Sequence, residues 1–182
     1  MSKLTVYASS EPTTPIAILE DAAAIQERLN LVGVTFERWQ ADKAIAKDDT
    51  QDDILNAYKS SIDKLKEEGG YQTADVISLN PSHPDKDALR QKFLNEHTHS
   101  EDEVRFFVRG QGLFCLHIDG HIYATLCQQG DLISVPAGVT HWFDMGSEPE
   151  FTCIRLFTNP EGWVAQFTGS DIAAKTPNMD AA

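Results

Sequence analysis

Four side chains in this sequence have the types and spacing to share one metal ion. His97, His99 and Glu103 fall within seven residues, and His141 follows a Pro136-x-Gly138 turn later in the chain. Residues two apart on an extended strand point to one face, so His97 and His99 can turn toward a common ion. Three imidazoles and a carboxylate form a mixed nitrogen and oxygen set. Such sets suit Fe(II), Ni(II), Mn(II), Co(II) or Zn(II), whereas structural zinc usually recruits thiolate. Around a six-coordinate ion they would leave two positions, and adjacent vacancies accept a bidentate ligand such as a vicinal diol or enediol. Taken singly, these residues have plainer readings: the first three as surface residues on a polar loop, His141 as a hydrogen-bonded barrel histidine.

Nearby residues are less informative. Glu96, Glu101 and Asp102 crowd the first stretch, either as partners of ligand imidazoles or as a solvated acidic loop. His83 sits in a Pro-rich turn, while His117 and His121 straddle Asp119-Gly120, and none fits a ligand pattern. Gly110-Gln111-Gly112 is too short to cradle a phosphate and reads as a hairpin turn.

The site needs a scaffold, and the residues from about 96 to 168 supply strand signals. Runs at 103–109, 113–118, 122–127, 132–135, 141–145 and 151–157 are short and rich in β-branched and aromatic residues. Gly-, Asp- and Pro-containing turns separate them, as in an antiparallel barrel or jelly roll. The first 95 or so residues mix short strands (4–7, 34–39, 76–79) with three helices. Helical periodicity spans Asp21 to Leu31, then one helix from Thr50 to Gly69-Gly70, then Asp85 to Leu94 with Leu89, Phe93 and Leu94 as its apolar stripe. The expected fold is mainly β with helical decoration, a barrel preceded by an α-rich portion within a single domain, 1–182. Residues 169–182 are small and polar and are expected to fray.

Composition excludes some partners. A net charge of −13 disfavours nucleic acid, whose phosphates are bound through Lys and Arg. With 41% hydrophobic and 24% charged residues the chain falls in the soluble globular range, and no apolar run suits a membrane span. Cys115, Cys127 and Cys153 are odd in number, lack Cys-x-x-Cys spacing and sit in apolar runs, so reduced core cysteines and a cytosolic location are expected.

The spacing His-x-His-x3-Glu-x6-Gly from His97 to Gly110, followed by Gly-x5-Pro-x-Gly-x2-His from Gly130 to His141, resembles the two motifs of the cupin superfamily. That likeness implies a double-stranded β-helix, or jelly-roll, barrel around one metal. Gln91 stands where the first motif usually has Gly, and Met145 where the second usually closes on Asn; neither departure removes a ligand. The flanking segments 93–99, 101–108, 141–146 and 159–163, with Phe36-Glu37-Arg38-Trp39-Gln40-Ala41-Asp42 near the start, resemble the acireductone dioxygenase family of methionine salvage.

The resemblance implies a substrate, 1,2-dihydroxy-3-oxo-5-(methylthio)pent-1-ene, which chelates the ion as an enediolate and is cleaved with O2. With Fe(II) it implies formate and 4-methylthio-2-oxobutanoate as products; with Ni(II), formate, carbon monoxide and 3-methylthiopropanoate. It also leans toward a monomer. A divalent ion, neutral imidazoles and ionised Glu103 sum to one positive charge, which a substrate dianion turns to one negative. Arg105, on the same face as Glu103, would restore neutrality and orient the substrate; a structural pairing with Glu103 is the alternative. Phe93, Phe143 and Trp163 are candidate walls for the thioether tail, or plain core. Other functions remain open: a different metal-dependent cupin enzyme, such as an isomerase or decarboxylase, or a non-catalytic small-molecule binder.

Overall fold

The computed structural model describes residues 1–159, 161 and 164–182. Its strands are β1 (Lys3–Ala8), β2 (Glu11–Leu19), β3 (Thr35–Arg38), β4 (Thr73–Leu79), β5 (His97–Thr98), β6 (Glu103–Ile118), β7 (His121–Gln128), β8 (Asp131–Val135), β9 (Thr140–Asp144), β10 (Phe151–Phe157) and β11 (Gln166–Phe167). The helices are α1 (Ala22–Asn30), α2 (Gln51–Ala57), α3 (Lys59–Gly69), α4 (Lys86–Leu94) and α5 (Ile172–Lys175). No helix is long and apolar enough to cross a membrane among the described residues.

The mainly β cupin-type architecture turns on β6, which belongs to two sheets. Its first part, Glu103–Gly110, lies between β8 and β10, with β3 beyond β8 and β4 beyond β10. Its last part, Leu113–Ile118, lies between β9 and β7, with β1 and β2 on one side and β5 and β11 on the other. All of these pairings are antiparallel. Gly110-Gln111-Gly112 is therefore not the expected hairpin turn but the crossing between sheets. A Cβ at Gly110, where φ is +67°, would lie 1.9 Å from the Glu150 carbonyl oxygen. One at Gly112 would meet the Phe143 ring at 2.4 Å. Glycine serves close approach here rather than chain reversal.

Both faces of β6 are buried, and its side chains alternate between two cores. Phe107 joins Phe114, Leu116, Phe143 and Phe151 in the core between the sheets. Val104, Phe106 and Val108 face a second core with Ile54, Tyr58 and Ile62 of the helical segment. Beyond the crossing the parity reverses: Phe114 and Leu116 point inward, while Leu113 and Cys115 join a third core with Trp142 and Ala173. A register shift against β10 accommodates this one-residue change.

Three further expectations are corrected. The single helix over 50–70 is two helices broken at Tyr58, whose φ of −108° and ψ of 20° leave the helical region. The break seats the Tyr58 ring edge-on to Phe106 at 5.4 Å and lets its hydroxyl donate to the Lys43 carbonyl at 3.2 Å. Its start behaves as expected, with a reciprocal Thr50–Asp53 capping box. Glu11–Leu19, for which no element was expected, is an edge strand, the position that tolerates Pro12 and Pro15. Residues 169–182 do not fray: α5 buries Ala173, and Asp180 accepts from Arg90 at 2.9 Å. Buried Asp144 explains the docking, since it binds Arg90 of α4 at 2.8 and 3.1 Å and accepts from the Met179 amide at 2.8 Å.

Candidate metal centre

The fold brings His97, His99 and His141 together from two separated stretches. His97 of β5 is the direct cross-strand partner of His141 of β9, and His99 follows β5. All three are buried, and one ring nitrogen from each lies within 4.8 Å of the others. The Gly138 amide donates to the His99 carbonyl at 3.0 Å, so the Pro136-Ala137-Gly138 turn braces the first motif as well as delivering His141.

Each imidazole is held by its Nδ1. His97 Nδ1 lies 2.7 Å from the Asn95 carbonyl oxygen, His141 Nδ1 2.8 Å from that of Val139, and His99 Nδ1 3.2 Å from that of Val164. A carbonyl can only accept, so Nδ1 carries the proton and Nε2 presents a lone pair. Glu103 Oε2 lies 3.2 Å from His99 Nε2 and 3.5 Å from His141 Nε2. Lone pairs thus face one another with no donor between them among the described residues, within which Glu103 Oε2 and His141 Nε2 are buried without hydrogen-bond partners. Such an arrangement is repulsive until a cation enters, and its nitrogen and carboxylate donors fit a divalent transition ion.

Electrostatics keep His97 and Glu103 in ligand form. Burial, then the neighbouring His141, lowers His97 to about 4. Burial opposes ionisation of Glu103, but the Arg105 guanidinium holds it well below the usual carboxylate range. For His97 the folded value lies below the ordinary 6.5, so its stability contribution is present above pH 6.5 and lost as pH falls toward 4. Glu103 has the same sign. Metal-free protein should therefore lose about 3 kcal/mol from His97 alone between pH 6.5 and 4. Urea denaturation of the metal-free chain at pH 6.5 and pH 4 measures this, and equal midpoints would contradict it.

Arg105 is buried within the site. Its Nε donates to Glu103 Oε1 at 2.5 Å, so the structural pairing weighed from sequence is present. That bond does not exhaust the guanidinium, because buried Nη1 has no hydrogen-bond partner among the described residues. The guanidinium carbon stands 4.8 Å from the Phe143 ring centre and 5.2 Å from that of Phe114. Phe143 is fully buried, and Phe93 of α4 reaches it at 6.4 Å. Trp163 lies outside the described residues.

Several contacts had no signal in the sequence. Phe114 stacks on His141 at 5.3 Å and 13° between planes, Phe157 lies edge-on to His99, and Phe167 edge-on to His97. His117, expected to have no ligand role, binds buried Glu96 at 2.7 Å, and Thr168 donates to the other oxygen of that carboxylate at 2.9 Å. Asp102 accepts from the Ala137 amide and Glu101 from the Thr158 hydroxyl, so both acidic residues brace loops.

Comparison with known proteins adds an independent line. A sequence model of the ARD/ARD′ family matches residues 5–165. The acireductone dioxygenase of Enterobacter sp. (strain 638) is 59% identical over 179 residues, covering 98% of this chain and 99% of that protein. That of Hahella chejuensis (strain KCTC 2396) is 57% identical over 180 residues, covering 99% and 97%. Among solved structures, acireductone dioxygenase from Bacillus anthracis with cadmium ion in its active centre is 30% identical, with a TM-score of 0.79 over 92% of this chain and 98% of that one.

Proposed function

The chain belongs to the ARD/ARD′ family, and on that premise we propose that it cleaves 1,2-dihydroxy-3-oxo-5-(methylthio)pent-1-ene with O2, using one divalent ion held by His97, His99, Glu103 and His141. One observation carries the reading: among the described residues, buried lone pairs of these side chains converge without donors, beside a buried arginine with a donor to spare. Fe(II) or Ni(II) bound there would supply Lewis-acid chelation of the two enediolate oxygens.

The protein's own groups do the remaining work. Carbonyl anchors on Nδ1 fix the tautomer and aim of each ring, so none must reorient on binding. Arg105 Nη1 donates to a substrate oxygen and compensates the charge left by the dianion. Phe143, with Phe93 against it, forms an apolar floor under the guanidinium that keeps water from competing for that hydrogen bond. The reading includes a cytosolic monomer; the three cysteines are free and buried, which suits a reducing compartment.

Oxygen uptake with the acireductone, followed by product analysis, tests the reaction. Iron-loaded protein is expected to give formate and 4-methylthio-2-oxobutanoate, and nickel-loaded protein formate, carbon monoxide and 3-methylthiopropanoate. The product set from protein isolated without added metal then identifies the working ion. No uptake with either metal would sink the dioxygenase reading and leave an isomerase, a decarboxylase or a binder.

A further inference from the structure

We propose that Phe167 is a specificity-determining residue whose ring provides the apolar contact for the tail of the substrate at the rim of the histidine cluster. This rests on the reaction proposed above. Each histidine of the cluster has a phenylalanine against it: Phe114 on His141, Phe157 on His99 and Phe167 on His97. Phe114 and Phe157 are wholly buried, whereas Phe167 is 55% exposed. Support of a ring from behind requires burial, so the exposure of the third phenylalanine asks for a different role.

Position supplies one. Phe167 is the antiparallel partner of His97, and directly opposed residues project to the same face of a sheet. Its ring therefore lies on the side toward which His97 faces, 5.9 Å away, on β11 at the edge of the sheet, half-exposed beside a buried cluster. The backbone beneath it is held, since the Thr168 amide donates to the Glu96 carbonyl at 3.1 Å. Val164, whose carbonyl anchors His99, is 63% exposed on the same segment. Scattered exposed apolar residues are ordinary, but a half-open aromatic ring tethered beside an ion-binding cluster is placed to be covered by what binds there. Phe143 lacks such an open face, being enclosed by Phe93, Phe107, Phe114 and Phe151. An unbranched thioether suits a phenyl face, through apolar burial and sulfur–aromatic contact.

Two acireductones differing only in the tail, one with the methylthio group and one ending in a bare methyl, test the assignment. Anaerobic binding to metal-loaded protein, read from the ultraviolet band of the substrate, gives affinity without turnover; aerobic kinetics give kcat and KM. Phe167→Ala should weaken binding of the methylthio compound and raise its KM by roughly tenfold, with kcat, metal content and the short-tail compound little changed. Phe167→Leu should recover most of the loss. If Phe167→Ala proves unstable or loses metal, Phe167→Thr, which suits an edge strand, takes its place. A folded, metal-loaded variant that keeps wild-type discrimination, or loses affinity for both compounds equally, overturns the assignment. Wild-type protein that consumes neither compound would instead refute the reaction itself, and the tail contact with it.

Discussion

His141→Ala is expected to yield protein that retains no stoichiometric metal after dialysis and takes up no oxygen with the acireductone. Loss of an outer partner of a ligand typically costs 10–100-fold in affinity or activity, so loss of one of four ligands should exceed about a hundredfold. The geometry makes His141 hard to replace. Its ring is stacked on Phe114, its Nδ1 is fixed by Val139, and its Nε2, like Glu103 Oε2, is a buried acceptor with no hydrogen-bond partner among the described residues. No neighbouring side chain on β9 can substitute, because adjacent positions point the other way. Removing a buried ring also leaves a cavity, which alone costs a few kcal/mol. His141→Leu refills most of that space, so a folded Leu variant without metal isolates the ligand effect. Stoichiometric metal or surviving turnover in either variant would show that the ligand set is misassigned.

Arg105→Lys should lower kcat/KM by about a hundredfold while leaving metal content near wild type. Lysine keeps the charge but offers one ammonium where arginine offers a rigid fork, and Arg105 uses two separate parts of that fork. Nε is committed to Glu103, and Nη1 is the donor left over. An ammonium drawn to Glu103 cannot also reach the substrate, so ion pairing would survive and substrate orientation would not. The guanidinium also lies over Phe114 and Phe143, a contact a flexible alkylammonium reproduces poorly. Activity within twofold of wild type would reduce Arg105 to a structural partner of Glu103.

Sequence and structure agree where the signal is local. The turn at Asp119-Gly120, which joins β6 to β7, and the start of a helix after Thr50 each depend on near neighbours. The disagreements arise where a distant partner decides. Gly110 and Gly112 look like a turn because glycine permits one; their role at the crossing depends on Glu150 and Phe143. Tyr58 fits a helix until its ring is required at Phe106 and its hydroxyl at Lys43. The last residues look too polar to pack, but Arg90 and Asp144 hold them from elsewhere in the chain. The same holds at the site. Its four candidate ligands are legible as spacing, whereas the phenylalanines against the histidines and the Glu96–His117 pair appear only once strands are in register.

The passage of β6 through both sheets also limits how this protein can change its length. Glu103 and Arg105 lie before the crossing, and Phe114, which supports His141, lies after it. Within a strand, one inserted or deleted residue exchanges inward and outward side chains. Such a change between Arg105 and Phe114 would turn the phenylalanine out from beneath the imidazole, or the arginine out of the site. Length variation in this enzyme is thus affordable in its surface loops but forbidden along β6, which acts as a fixed spacer between the two halves of its chemistry.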